Sequence, residues 1–244
     1  MADGRAVLVT GGASGIGAGL ARGFAAAGDR VLVVDVHDAE GRRVAEEVGG
    51  GYFHADVADF AANQHAVAEA VARFGRLDVV CLNAGVGGGS GLGAQFDPDA
   101  YRRSMSINLD GMVYGANAAT AALRAQGGGA IVFTASIAAL APAVDLYYAT
   151  AKHALIGLMR SMAMLLAKDH VTVNAICPGF VDTPIIAPVR DAIVQHGLAL
   201  LRPAEVAALV LDVVADGDTG QAWETQAGRD AEPVAFRPII PSRT

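Results

Sequence analysis

The chain has 244 residues, 53% of them hydrophobic and only 6% aromatic, so its apolar content is aliphatic and large enough for one extensive α/β core. A formal net charge of -7 disfavours nucleic acid or an anionic membrane as a partner. The two cysteines, Cys81 and Cys177, lie in or at the end of apolar runs. They read as buried small hydrophobes rather than a zinc or redox set, and no metal site is expected.

The opening residues do not read as a secretory leader. The most apolar region, around residues 143–167, is broken by Asp145, Lys152, His153 and Arg160, so it does not read as a membrane span. A cytoplasmic setting fits both observations.

Val7-Leu8-Val9-Thr10 is an apolar run that ends in Gly11 and Gly12, and a helical pattern through Leu20, Phe24 and Ala27 follows. The pattern predicts a strand, a tight turn and a helix start. Such a turn gathers backbone N–H groups and the positive end of the helix dipole at one point, where an anion such as a pyrophosphate fits. Gly11, Gly15 and Gly17 suit three needs there: the turn, close approach of phosphates, and close packing of helix on strand. Residues 30–35 form a second apolar run that ends at Asp35. The two runs and the helix between them make a right-handed βαβ unit. A carboxylate about twenty residues beyond the glycine turn accepts bonds from adenosine ribose hydroxyls and repels a 2′-phosphate. No Arg or Lys stands at positions 13, 14, 36 or 37. The expected cofactor is therefore NAD rather than NADP.

Residues 38–48 predict a helix with Arg42, Arg43, Glu46 and Glu47 on its wet face, ended by Gly49, Gly50 and Gly51. Tyr52-Phe53-His54-Ala55 is a third strand, followed by Asp56-Val57, where Asp56 alternatively caps a helix near residues 60–74. Leu77 to Leu82 is the fourth strand and leads into Asn83-Ala84-Gly85. Gly87 to Gly93 holds five glycines and reads as a mobile loop on the rim. Asp97 and Pro98 start a long helix to about residue 124, with Asn108 inside it. A mid-helix Asn by itself reads as a solvent-facing residue or a local bend. Residues 130–134 are the fifth strand. Ser136 follows it, and twelve positions later stands Tyr148, with Lys152 at i+4 on the same helical face.

The Thr-Gly-x-x-x-Gly-x-Gly spacing at residues 10–17, Asn83-Ala84-Gly85, Ile107-Asn108-Leu109-Asp110-Gly111, and Ser136 with Tyr148 and Lys152 resemble the short-chain dehydrogenase/reductase family. The resemblance runs from Arg5 to about Ala215. It implies an α/β Rossmann-type doubly wound parallel sheet of seven strands in a single domain, residues 1–244, with strand order 3-2-1-4-5-6-7. It assigns dinucleotide contacts to Gly11, Ser14, Gly15, Ile16, Gly17 and Asp35. It also assigns them to Asp56 with the backbone N–H of Val57 at the adenine, to Asn83, Ala84 and Gly85, and to Tyr148 and Lys152. After the sixth strand, residues 171–177, it adds Pro178, Gly179, Val181 and Thr183 at the nicotinamide carboxamide. Three features depart from the family pattern. Leu82 replaces the first Asn of the family's Asn-Asn-Ala-Gly, the Ser136–Tyr148 separation is one residue shorter than is common, and Ala135 and Tyr147 are unusual neighbours. Tyr148 remains the expected base because it is the tyrosine with Lys at i+4.

A base for an alcohol proton must act near neutral pH. Lowering a tyrosine from its usual ~10 to about 7 takes roughly 4 kcal/mol of bias toward phenolate. The Lys152 ammonium and a cationic nicotinamide ring are the expected sources of that bias. Lys152 also binds the nicotinamide ribose, Ser136 holds the substrate oxygen, and Asn108, by the resemblance, holds a water that extends the proton path. The expected activity is hydride transfer between NAD and a secondary alcohol or its ketone. The rival readings are an NADPH-dependent ketone reductase and a catalytically silent dinucleotide-binding sensor or scaffold. The helix of residues 151–166 is apolar on two sides, with Leu155, Met159, Met162 and Leu166 on one stripe and Leu158 and Leu165 off it. That predicts a homodimer or homotetramer. Residues 183–202 read as an apolar substrate lid containing His196, and residues 229–244, with Pro233, Pro238 and Pro241, as an extended tail.

Overall fold

The computed structural model describes residues 4–237. Seven parallel strands, β1 (Ala6–Thr10), β2 (Arg30–Asp35), β3 (Gly51–His54), β4 (Val79–Leu82), β5 (Gly129–Thr134), β6 (Val171–Pro178) and β7 (Ala222–Thr225), lie in the order 3-2-1-4-5-6-7. The register runs Val7↔Val31 and Val7↔Val79 through the centre, and Ile131↔Val173 beyond it. An eighth strand, β8 (Glu232–Pro233), pairs antiparallel with β7, so the sheet has eight strands rather than the expected seven. The chain reverses at Gly228, whose φ of +76° favours glycine. Val234 N–H then donates to the carbonyl of Ala222 at 2.7 Å. Pro233 is tolerated because it sits on the outermost strand. Of the expected extended tail, Pro238 and Pro241 lie outside the described residues.

The apolar strands are buried on both faces, and the two-residue period of a strand divides their side chains between two cores. Val7, Val9, Val31 and Val33 point to one side with Leu20 and Phe24 of α1 (Gly15–Ala26) and Val206 and Val210 of α8 (Pro203–Asp216). Leu8, Leu32, Leu82 and Phe133 point to the other, with Ala66 of α3 (Phe60–Phe74), Met112 of α5 (Gly111–Ala125), and Leu155 and Met159 of α6 (Leu146–Leu166). α2 (Asp38–Glu47) covers the β2–β3 end of the first side.

Two local expectations change. The N-cap of α3 is Asp59, whose carboxylate accepts from Ala61 N–H, not Asp56. The long helix expected from Pro98 to about residue 124 is interrupted. It runs as α4 (Pro98–Met105), a π-helical segment Ser106–Asp110, and α5. Asp97 caps α4 through Asp99 and Ala100 N–H, with Pro98 in the first turn as expected. Asn108 falls in the π segment and is 0% exposed, not solvent-facing.

Because every strand of the parallel set points the same way, the loops that follow β1, β2, β4, β5 and β6 all emerge at one edge, at the switch point of the strand order. No helix among the described residues is long and apolar enough to cross a membrane. Phe133 is fully buried at the centre of one core. Phe133→Ala is expected to cost about 3–5 kcal/mol, read from the shift of the urea unfolding midpoint.

Candidate active site

The turn between β1 and α1 is held open at a helix N-terminus. Ser14 takes extended backbone at the N-cap, its hydroxyl makes no capping bond, and the first turn of α1 carries no acidic residue. The positive end of the helix is thus left for an outside anion. The glycines are required by space. At Gly11, with φ +65°, a Cβ would stand 2.7 Å from Ala84 Cα, and at Gly17 it would overlap the carbonyl oxygen of Gly11. At Gly15, with φ +50°, it would stand 3.0 Å from Thr183 Cγ2, so the phosphate-type turn and the segment after β6 meet there. Ile16 is partly buried against the core behind the turn.

Asn83 fixes this turn to the end of β4. Its Nδ2 donates to Thr10 O at 3.0 Å, while Thr10 Oγ1 accepts from the N–H of Asn83 at 2.9 Å and of Ala84 at 3.2 Å. Asp35, at the end of β2, has a side chain 9% exposed. Oδ2 accepts from Ala13 N–H at 3.0 Å, and Oδ1 from both the backbone N–H and Nδ1 of His37. No Arg or Lys bonds this carboxylate among the described residues. Asp56 is exposed at the end of β3 and accepts from Ala58 N–H, and Val57 is buried beside it.

The structure brings Asn108, Ser136, Tyr148 and Lys152 to the same edge. Lys152 is 2% exposed, and its Nζ donates to the carbonyl of Thr134, the last residue of β5, at 2.7 Å. An ammonium carries three donors, and the described residues supply one acceptor. Nζ lies 5.3 Å from the Tyr148 ring centroid, and a Cβ on Gly85 would fall 3.6 Å from it and 3.0 Å from Asn108 Oδ1. Asn108 Oδ1 accepts from Val86 N–H, and its Nδ2 donates to Val86 O and Ser104 Oγ. Its side chain is thereby committed to the protein.

Burial is the main cause that pushes the Tyr148 phenol up, to about 12; the Ser136 hydroxyl pulls it down, and Asp145 pushes it up again. Burial pushes the Lys152 ammonium down, to about 8. In the protein alone the phenol therefore lies above its ordinary range, because burial outweighs the Ser136 hydrogen bond. Cys177 is also pushed up to about 12 by burial. A thiol that high is neutral at working pH, so it acts on neither partner as a charge.

The segment after β6 is fixed at both ends. Gly179 N–H donates to Thr225 O, Val181 bridges Leu201, and Thr183 Oγ1 donates to Val181 O at 3.1 Å. Pro178 ends β6 beside Thr225. Between the pinned ends runs the expected lid, with α7 (Arg190–Gln195), an Arg190–Asp182 ion pair at 2.9 Å, and exposed Ile185, Val189, Val194 and Leu198. His196 is exposed, with Nδ1 against the carbonyl of Ala192 at 2.7 Å. A shallow apolar cavity of about 430 Å³ lies elsewhere, along Leu146, Ala149, Thr150 and His153, and includes none of these site residues.

Sequence reasoning passed over Thr10, Ser104, Thr134 and Asp145 as site residues. Thr134 acts through its backbone, which no side-chain motif reveals. Asp145 had a readable signal: an acid three residues before Tyr148, at the start of a helical pattern, is an N-cap.

A doubly wound sheet with an open helix N-terminus at its switch point defines an α/β protein of the dinucleotide-binding class, here with a Tyr–Lys pair beside that opening. The short chain dehydrogenase family model matches residues 5–193. A short-chain dehydrogenase reductase of Arabidopsis thaliana is 35% identical over 210 residues, covering 85% of this chain and 76% of its own. A 3-alpha-(or 20-beta)-hydroxysteroid dehydrogenase of Mycobacterium bovis is 36% identical over 217 residues, covering 87% and 83%. The crystal structure of a 3-ketoacyl-(acyl-carrier-protein) reductase of Brucella melitensis, complexed with NADH, superposes with a TM-score of 0.85 at 27% identity, covering 94% of this chain and 99% of the other. The chain belongs to the short-chain dehydrogenase family, oxidoreductases that bind a nicotinamide dinucleotide and act on hydroxyl or keto groups. The crowded glycines, the free N-terminus of α1 and the under-coordinated Lys152 fit such a group.

Gly17→Ala forces its methyl into the Gly11 carbonyl. The turn must shift, and dinucleotide affinity is expected to fall at least ~10-fold in a fluorescence titration, about 1.4 kcal/mol.

Proposed function

We propose that this protein transfers a hydride between NAD and a secondary alcohol or its ketone, with Tyr148 as the acid/base. The observation that carries the reading is the placement of Tyr148 and Lys152 on one face of α6 beside Ser136 and Gly85, at the edge where the glycine turn opens. NAD when bound supplies the hydride acceptor and a positively charged nicotinamide ring. Tyr148 Oη takes the alcohol proton, and Ser136 Oγ donates to the substrate oxygen and steadies the charge that develops there. Lys152 holds the nicotinamide ribose with the donors the protein leaves free. Asn108 keeps Val86 and the loop after Gly85 in place, and in this reading it is the residue that holds a water extending the proton path from Lys152.

The dinucleotide is bound along Gly11, Ser14, Gly15, Ile16 and Gly17 at the phosphates, Asp35 at the adenosine ribose, and Asp56 and Val57 at the adenine. Asn83, Ala84 and Gly85 line the middle, and Pro178, Gly179, Val181 and Thr183 hold the carboxamide. The preference for NAD rests on the Asp35 carboxylate, which no lysine or arginine bonds among the described residues. The exposed aliphatic side chains of the lid favour a partly apolar substrate. The outer face of α6, with Met164 75% and Leu165 61% exposed, supports self-association as a homodimer or homotetramer. Two free buried thiols accord with a cytoplasmic location.

Screening secondary alcohols with NAD⁺ by NADH absorbance identifies the substrate. Tyr148→Phe is then expected to lower kcat at least ~10²-fold with little change in NAD⁺ affinity. Retained turnover would refute the assignment. NAD⁺ should bind at least ~10-fold more tightly than NADP⁺, and Asp35→Ala should narrow that gap; tighter NADP⁺ binding by the wild type would overturn the Asp35 reading. In ultraviolet difference titrations of wild type against Tyr148→Phe, the Tyr148 phenolate should emerge near pH 12 without dinucleotide, and at lower pH with NAD⁺, since added positive charge favours the ionised form.

A further inference from the structure

We propose that Asp145 is a positioning residue for this reaction: its one carboxylate ties the loop after the dinucleotide motif to the first turn of the helix that carries Tyr148. The proposal rests on the reading of Tyr148 as acid/base.

Oδ2 of Asp145 accepts from Gly88 N–H at 2.8 Å, and Oδ1 accepts from Gly89 N–H at 2.9 Å and from Tyr148 N–H at 3.1 Å. The same carboxylate therefore caps α6 and grips two consecutive loop amides. Tyr147 adds to the grip from the next position: its N–H donates to Gly89 O at 3.1 Å and its hydroxyl to Gly91 O at 2.8 Å. Its ring is buried in an edge-on cluster with Phe96 and Tyr101. Two residues before Gly88, Asn108 bonds both backbone groups of Val86.

The glycine run thus has a steric purpose. A Cβ on Gly88 would stand 2.6 Å from both Ser104 Oγ and Tyr148 N, and 2.7 Å from Asp145 Oδ1. Gly89 holds φ at +100°. Backbone without side chains is what lets the loop enter between α4 and α6. The stretch Gly87 to Gly93, read from sequence as a mobile loop on the rim, is bonded at Gly88, Gly89 and Gly91 and, just before it, at Val86.

The carboxylate also acts on the phenol through space. The groups that bear on Tyr148 are Ser136 after β5, Cys177 on β6, Asp145 before α6, and Lys152 one turn along α6. Cys177 is neutral, and Asp145 is the negative charge that disfavours phenolate. The residue that sets the position of the loop also raises the proton affinity of the base.

Asp145→Asn tests both effects. The side-chain oxygen still caps α6, but the amide nitrogen cannot accept from Gly88 N–H and the charge is gone. Two readings are taken: hydrogen exchange at residues 86–91, and the pH profile of kcat/KM for oxidation of the alcohol found by screening. Exchange at residues 88–89 is expected to rise roughly five-fold, as for loss of one net hydrogen bond, with the rest of the chain unchanged. The acid limb of the profile is expected to move to lower pH, because phenolate forms more readily without the neighbouring carboxylate. Unchanged loop exchange, a rise spread evenly over the whole chain, or an unmoved acid limb each overturns the proposal. If the Asn variant does not fold, Asp145→Ser, which keeps a capping oxygen, is carried through the same measurements. Tyr148→Phe measured in parallel separates the two hypotheses. Activity in that variant removes the catalytic reading, while the exchange result still decides whether Asp145 ties the loop.

Discussion

A buried ammonium is the constraint around which this molecule is arranged. Lys152 is almost wholly removed from water and, among the described residues, has a single acceptor, the Thr134 carbonyl at the end of β5. Desolvation of a charge is costly unless partners replace the water, and the tendency of burial to strip its proton is visible in the depressed pKa. The Thr134 carbonyl replaces part of that water, and under the proposed function the ribose of a bound dinucleotide replaces more of it. The same edge holds the Tyr148 phenol above its usual range, so both side chains sit away from their free-solution states.

The two sides of the cleft are tied to this edge by different means. On the dinucleotide side the ties are steric: Gly11, Gly15 and Gly17 bring backbone so close to Ala84, Thr183 and one another that any side chain would displace the turn. On the other side, around Asn108 and Asp145, the ties are hydrogen bonds from side chain to backbone. Asn108 holds Val86, and Asp145 holds Gly88, Gly89 and the start of α6. Beyond these the segment after β6 is pinned at its ends by the Val181–Leu201 bridge, and between them its apolar residues stand open.

Most of the fold was legible because its signals are local. The apolar runs with their glycine endings marked the central strands, the family resemblance supplied the count of seven and the strand order, and Asp97-Pro98 marked the start of α4. The interrupted helix was not legible. A π segment depends on how Ser106–Asp110 accommodates the bonds that Asn108 makes to Ser104 and Val86, and Val86 is 22 positions away. The sequence pointed to Asp56 as a possible cap of α3, and only backbone placement gave that role to Asp59. The eighth strand rests on a two-residue pairing whose edge position no periodicity encodes. Asp145 shows the intermediate case: its cap was readable in principle, while its hold on Gly88, 57 positions earlier, was not.

The sequence alone determined that the chain would form a doubly wound sheet with a glycine turn at its switch point, and that Tyr148 and Lys152 would share a helical face. Hydrophobic period, glycine spacing and an i, i+4 separation are properties of neighbouring residues. Tertiary structure alone decided which groups surround those side chains. It set the carbonyl that meets Lys152, the burial that raises Tyr148, and the carboxylate that joins a distant loop to the start of α6. Each of these is a contact between segments far apart in the chain, and the electrostatic environment of a group is fixed only when the fold has brought such segments together.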